Sequence, residues 1–256
     1  MNNVRTVSDT KRAFHTAHTR PINSVYRRVV EELMVEMHLL TVGSNFSYTS
    51  IYALGVVTTF DRFMAGYEPE SDRTSIFSAI CSSAGQKDAS QFRKDSTALL
   101  EAAKGLSADD VVAILKGEGG SGGSADAIKA AVQPLMDSAT KYSRLLGVGL
   151  FTILEACDLE LIKDKEQLTE FLTAICEPLN LPADKLDKDL ELYRGNLEKL
   201  AMAQETMKDI LEAERKQREQ RAKAKEESGK EVDSEKGEEA EAAATGSTAA
   251  DQKASD

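Results

Sequence analysis

Apolar residues recur every three or four positions in almost every patterned segment of this 256-residue chain, and this spacing limits what it can fold into. Such a stripe is typical of an amphipathic α-helix that packs on a core. No segment shows sustained two-residue alternation with β-branched residues, so the sequence predicts no sheet. Helices are predicted over residues 25–40, 50–66, 71–83, 88–104, 107–116, 125–139, 142–157, 166–176 and 183–225.

Capping residues refine the ends of several of these helices. Pro21 suits the first turn of the first predicted helix, and Gly43 suits its end. Asp88 with Gln91 forms a capping-box pattern, and Ser107 with Asp110 marks the start of a shorter helix. The segment 50–66 is apolar on most sides, which predicts a central, well-buried helix.

The last predicted helix carries a different pattern, in which seam positions alternate steps of four and three as in a coiled-coil heptad. We expect the first part of this seam to pack on the rest of the protein and the second part to bind a partner. The alternative is that the preceding helices cover the whole seam. The packing positions are Leu186, Leu190 and Tyr193, and the candidate partner-binding positions are Leu197, Leu200, Met207 and Leu211.

The chain is predicted to have three parts. Residues 1–181 form a compact multi-helix domain, in which the glycine-rich run 117–124 is a flexible surface loop. Residues 182–225 form the long projecting helix with the heptad seam. Residues 226–256 carry ten acidic and three basic residues and few apolar ones, which predicts a disordered acidic tail. The fold class is therefore all-α, with a long coiled-coil-like C-terminal helix and a disordered tail.

Charge is distributed unevenly along the chain. The formal net charge is −11 and the isoelectric point is about 5.0, which argues against a broadly basic nucleic-acid binder. The first 30 residues nevertheless hold six basic side chains against one acid. Some of these arginines are candidates to bind buried carboxylates or a partner, and the alternative is ordinary surface pairing with Glu31, Glu32 and Glu36. The arginines in question are Arg12, Arg20, Arg27 and Arg28.

The side chains that could carry chemistry are few and scattered. Three cysteines lie far apart in apolar segments, which is typical of reduced core thiols. His15 and His18 share a helical face, but a capping or surface role is expected because no further metal-ligand motif accompanies them. Glycines 117, 119 and 122 match a dinucleotide fingerprint without the strand it requires. We therefore expect no catalytic residue, metal or cofactor, and no enzymatic activity.

Hydropathy gives no membrane span, since the longest uncharged apolar stretch, residues 145–154, is at most half the required length. The opening residues lack an apolar region of the secretory type, and we expect neither a signal nor a transit peptide. Any membrane association is expected to be peripheral.

Three runs of the chain resemble a known family. The runs VSDTKRAF at 7–14, HTRPINSVYRRVVEEL at 18–33 and YALGVVTTFDRFM at 52–64 are similar to the opening of the thylakoid formation protein family, also known as a photosystem II biogenesis protein. The resemblance extends over roughly residues 1–220 and points to a cyanobacterial member. The glycine-rich run 117–124 departs from the family pattern.

The resemblance implies an all-helical, non-enzymatic adaptor in thylakoid biogenesis and photosystem II assembly and repair. Members of the family associate with the membrane FtsH protease complex, so this chain is expected to modulate that protease. The expected location is the cytoplasmic face of the thylakoid membrane, with a soluble cytoplasmic pool. The alternative is a chaperone-like assembly factor that binds photosystem II subunits or chlorophyll-protein intermediates directly.

Overall fold

Helices account for all the regular secondary structure in the described part of the chain. The computed structural model describes residues 5–43, 46–86, 88–137 and 141–245, with side chains described as far as Arg221 except that of Asp137. The predicted all-α class is confirmed. The helices are α1 (Val7–Ala17), α2 (Ser24–Val42), α3 (Ser50–Phe63), α4 (Glu70–Ser83), α5 (Ala89–Lys104), α6 (Ala108–Leu115), α7 (Gly123–Asp137), α8 (Arg144–Cys157), α9 (Lys165–Cys176) and α10 (Ala183–Thr245), with a 3₁₀ turn at Leu161–Lys163.

Local capping explains where several helices begin. The capping box predicted at Ser107 and Asp110 is present at the start of α6. The box predicted at Asp88 is wrong, because Asp88 makes no side-chain cap to α5 and accepts a hydrogen bond from the Ser90 hydroxyl instead. Pro21 lies before α2, whose N-cap is Asn23. The helix α1 was not in the predicted set, and Thr6 caps it in a second capping box.

The helix α3 is the centre of the fold. Its Ile51 and Leu54 belong to a core cluster shared with α5 to α10. Its Tyr52 and Phe60, on the other side, belong to a second cluster shared with α1, α2 and α4. A helix that is apolar on most sides must be enclosed on most sides, so the burial predicted for this segment is confirmed.

The chain divides into two units, the first ending at Leu200 and the second beginning at Ala201, so α10 contributes to both. The sequence places the end of this helix at residue 225, whereas its backbone is helical to Thr245. Alanine, glutamate and lysine dominate the added stretch, and all three favour helix. Disorder is predicted for residues 226–256. The side chains of these residues, and their backbone from residue 246 onward, lie outside the described residues.

Over the residues that the structure describes, no helix combines the length and the apolar character needed to cross a bilayer.

Candidate partner-binding surfaces

The first part of α10 is committed to the core. Leu186, Leu190 and Tyr193 are buried, as the seam predicts. The ring of Tyr193 makes an edge contact with Phe63 of α3, with the ring centroids 5.6 Å apart. The Tyr142 hydroxyl donates a hydrogen bond to Asp189 over 2.9 Å. The burial of these three side chains explains why the seam is apolar over its first heptad.

The candidate partner-binding residues of α10 lie in different environments. Leu197 and Leu200 are half-buried and pack against the core of the first unit, so part of their surface is already used. Met207 is also half-buried, whereas Leu211 is 56% exposed. Among the predicted partner residues, only Leu211, at the C-terminal end of the seam, is therefore exposed, and the other three are half-buried.

An exposed apolar residue beside Leu211 was missed by the seam analysis. Ile210 is 54% exposed and lies next to the seam rather than on it. Residues at spacings of three and four share one face of a helix, so Met207, Ile210 and Leu211 form a continuous patch, here called the α10 stripe. The three-residue spacing from Met207, considered without the stricter heptad pattern, predicts that Ile210 lies on the same face of the helix.

Three of the four candidate arginines pair with different carboxylates. Arg20 donates to the buried carboxylate of Asp72 on α4 over 2.7 Å and so ties the α1–α2 connection to α4. Arg28 pairs with Glu32 one turn along α2 at 2.7 Å, as the alternative reading expected. Arg12 lies 3.7 Å from Asp9 within α1. Arg27 is exposed and has no ion-pair partner among the described residues.

A groove between α1, α2, α8 and α10 brings one of these arginines next to exposed leucines. Its volume is about 750 Å³, and we call it the α2 groove. Leu39 and Leu192 are 55% and 51% exposed on its walls. Of the four candidate arginines, the groove holds only Arg28. It is lined by Lys11, Arg28, Glu31, Glu32, Val35, Glu36, Leu39, Leu40, Arg144, Leu192 and Asn196.

The charges of the α2 groove are neutralised locally. Lys11 binds Glu31 over 2.9 Å, and Arg144 binds Glu36. Burial raises the pKa of Glu36, although the neighbouring Arg144 opposes that rise. The groove thus offers a partner exposed leucine side chains that are flanked by ion pairs. Sequence reasoning missed it because Leu39 and Leu192 lie on helices more than a hundred positions apart.

The potential nucleophiles and metal ligands have structural surroundings. Burial raises the pKa of the Cys81 thiol to about 12 and that of Cys157 to about 11, which disfavours the reactive thiolate. His15 is exposed, whereas His18 is buried and hydrogen-bonds Ser75 over 3.0 Å, so the two do not share an open face. Among the described residues, no three histidine, cysteine or acidic side chains cluster as a metal site would require.

Together, these features define an all-helical protein with a long C-terminal helix and exposed apolar surfaces on two of its helices. The chain belongs to the thylakoid formation protein family, whose model matches residues 6–222. That family is named for a process of membrane biogenesis and not for an enzymatic activity. The match includes all four candidate arginines and the α10 stripe.

Solved and curated proteins agree with this assignment. The chain is 56% identical to Protein Thf1 of Nostoc punctiforme over 222 residues, which cover 86% of this chain and 94% of the relative. It is 53% identical to Protein Thf1 of Acaryochloris marina, covering 86% and 88% of the two chains. A solved structure of Psb29 matches with a TM-score of 0.73 and 42% identity, covering 84% of this chain and 98% of the other.

Proposed function

We propose that this protein is a non-enzymatic adaptor in thylakoid biogenesis and in photosystem II assembly and repair, which binds and modulates the membrane FtsH protease complex. Membership of the thylakoid formation family supports the process. The exposure of Ile210 and Leu211 in the α10 stripe is the observation that supports partner binding, because apolar side chains exposed on one helix face suit a groove on another protein. The α2 groove, with Arg28 at its edge, offers a second contact surface.

Two glutamates in the α10 stripe test this proposal. In the double variant Ile210→Glu and Leu211→Glu, we expect FtsH recovered by copurification from solubilised thylakoids to fall about tenfold or more, because burying a leucine contributes roughly 1.5–3 kcal/mol. The melting temperature should stay unchanged, since both side chains are more than half exposed. The matched control places two glutamates at exposed polar positions of the same helix, Gln217→Glu and Gln220→Glu.

The outcomes separate the two candidate functions. Full FtsH recovery with the stripe variant would remove α10 from the mechanism and transfer the proposal to the α2 groove. Intact FtsH binding with loss of photosystem II subunits would favour the alternative, a chaperone-like assembly factor. Leu200 is a poor site for such a test because its packing against the core would confound binding with stability.

The proposed location is the cytoplasmic face of the thylakoid membrane, held there peripherally by partners, together with a soluble pool. We expect washing of isolated thylakoids with high salt and then with carbonate to release most of the protein. High salt screens the charged contacts with a partner and alkaline carbonate disrupts protein–protein contacts in general, whereas neither treatment extracts an inserted segment. Recovery of the protein in the washed pellet would contradict peripheral attachment, and an integral thylakoid protein serves as the control.

A further inference from the structure

The part of α10 that follows the α10 stripe carries a strong positive charge. Residues 215–225 contain six basic side chains and one acid, in a chain whose formal net charge is −11. The proposed contact between the α10 stripe and FtsH makes no use of this charge. Four of the basic side chains are described, and we call them the α10 basic segment: Arg215, Lys216, Arg218 and Arg221.

The charges of the α10 basic segment are almost unopposed within the described part of the chain. All four side chains are exposed. Arg215 lies 3.6 Å from Glu219 one turn along the helix and is still 72% exposed. Lys216, Arg218 and Arg221 form no ion pair with any described residue. An anionic partner can therefore reach these cations without breaking a contact that stabilises the fold.

The three arginines of this segment continue the face of the α10 stripe. Residues separated by three, four or seven positions lie on one side of a helix. Arg215 and Arg218 follow Leu211 by four and seven positions, and Arg221 follows Arg218 by three. Glu214 lies on the same face and offsets one of the three charges. One face of α10 is thus apolar at the stripe and basic in the turns that follow it.

The acidic residues that begin at position 226 limit this basic surface without cancelling it. The eleven residues 215–225 extend over roughly 16 Å of helix. At physiological ionic strength charges are screened over about 8 Å, half of that length. Acids beyond residue 225 therefore have little influence on the potential at Arg215 and Arg218.

A layer of anionic lipid headgroups is the partner that suits this surface. Glutamines 217 and 220 lie between the cations, so the segment offers charge rather than an apolar anchor. An acidic protein would have to match the arginines with fixed carboxylates, whereas lipids in a fluid bilayer can move a phosphate next to each one. Arginine binds phosphate through two hydrogen bonds, and clusters of four or more basic residues on a helix bind anionic membranes.

We propose that the α10 basic segment binds the anionic headgroups of a membrane surface, through Arg215, Arg218 and Arg221. Ile210 and Leu211 remain available to a protein partner at the same membrane. Lipid binding does not depend on the proposed contact with FtsH, and vesicles that contain no protein test it separately.

Cosedimentation of the full chain with vesicles at low ionic strength measures this binding. One set of vesicles is phosphatidylcholine with about one third phosphatidylglycerol, and the other is phosphatidylcholine alone. We expect binding to the anionic set only, and release at high salt. The net charge of −11 repels an anionic surface, so binding identifies a local basic site. Failure to sediment with the anionic vesicles, or equal binding to both sets, would overturn the proposal.

Three variants locate the lipid contact. Glutamine at Arg215, Arg218 and Arg221 should weaken binding about fivefold for each arginine, and so about a hundredfold in total, because each basic residue near such a surface contributes about 1 kcal/mol. Lysine at the same three positions keeps the charge and should retain most of the affinity. The matched control removes three exposed positive charges outside α10 and should bind like the unaltered protein. It combines Lys94→Gln, Lys116→Gln and Lys163→Gln.

Two results would contradict the assignment to α10. Equal loss of vesicle binding in the glutamine variant and in the control would mean that net charge, and not the α10 basic segment, determines the affinity. A glutamine variant that loses FtsH in copurification, from a chain that binds no vesicles, would show that the segment contacts an acidic protein instead of lipid. All these side chains are exposed, so melting temperatures should stay unchanged and confirm that each variant is folded.

Discussion

Replacing Gly55 by alanine is expected to destabilise the protein by about 3 kcal/mol or more. A Cβ atom at Gly55 would overlap the carbonyl oxygen of Leu145 on α8, and one at Gly149 would overlap that of Ile51 on α3. Both obstacles are backbone atoms of central helices, which cannot rotate away as a side chain would. The two helices must therefore separate, and they carry the core on both sides.

The sign of the change in stability distinguishes a steric effect of the added methyl group from an effect of helix propensity. Helix propensity alone predicts that alanine stabilises a helix by about 0.5–1 kcal/mol relative to glycine. Gly195 of α10 has nothing within 4 Å of a built Cβ, so Gly195→Ala is the control and should raise stability by about that amount. Thermal unfolding should show a midpoint lower by roughly 6–12 °C for Gly55→Ala, at about 2–4 °C per kcal/mol. A melting temperature at or above that of the unaltered protein would show that α3 and α8 can move apart without cost.

Residues such as Gly55 explain why the sequence predicted the helices better than their packing. Local spacing and caps determine where a helix forms, so the predicted bounds of α2, α3 and α6 lie within a few residues of the observed ones. A glycine inside a helix looks unfavourable when only its neighbours in sequence are known. Its use becomes visible only when a second helix, some ninety positions later, is placed against it.

The candidate surfaces, like the helices, are predictable only where they depend on residues that lie close together in the sequence. The exposed end of the α10 seam was predictable, because exposure of Leu211 follows from periodicity and from the charged residues after it. Binding of a buried carboxylate by Arg20 is among the expectations from the sequence, but its partner Asp72 is not, because the two residues are far apart in the chain. The α2 groove depends on four separate helices meeting, and nothing in the spacing of its residues indicates that they do.

Removing the positive charge of Arg144 is the second change with a large expected effect. Arg144 begins α8 and binds the mostly buried carboxylate of Glu36 on α2. Arg144→Met keeps the apolar stem but leaves that carboxylate without its cation. Breaking a buried ion pair from one side costs about 3–5 kcal/mol, and we expect about 2–3 kcal/mol at pH 7.5 because both side chains keep some solvent exposure.

The pH dependence of this loss identifies its cause. Burial already raises the pKa of Glu36 above its ordinary value of 4.5, and nearby Asp189 adds to the rise, while Arg144 opposes it. Loss of Arg144 must therefore raise the pKa further. A carboxyl group whose pKa is higher in the folded state than in the unfolded state destabilises the fold when it is ionised. The penalty is complete above the folded-state pKa and disappears as the pH falls towards 4.5.

Urea unfolding of the variant at pH 7.5 and pH 5.0 measures this penalty. The difference in unfolding free energy between Arg144→Met and the unaltered protein should be smaller at pH 5.0, because Glu36 takes up a proton. Adding Glu36→Gln to the variant removes the buried charge, so the double variant should recover most of the lost stability at pH 7.5 and show little dependence on pH. A loss of equal size at both pH values, unrelieved by Glu36→Gln, would mean that Arg144 stabilises the fold through packing of its stem. In that case the contact between α2 and α8 would not depend on the Glu36 charge.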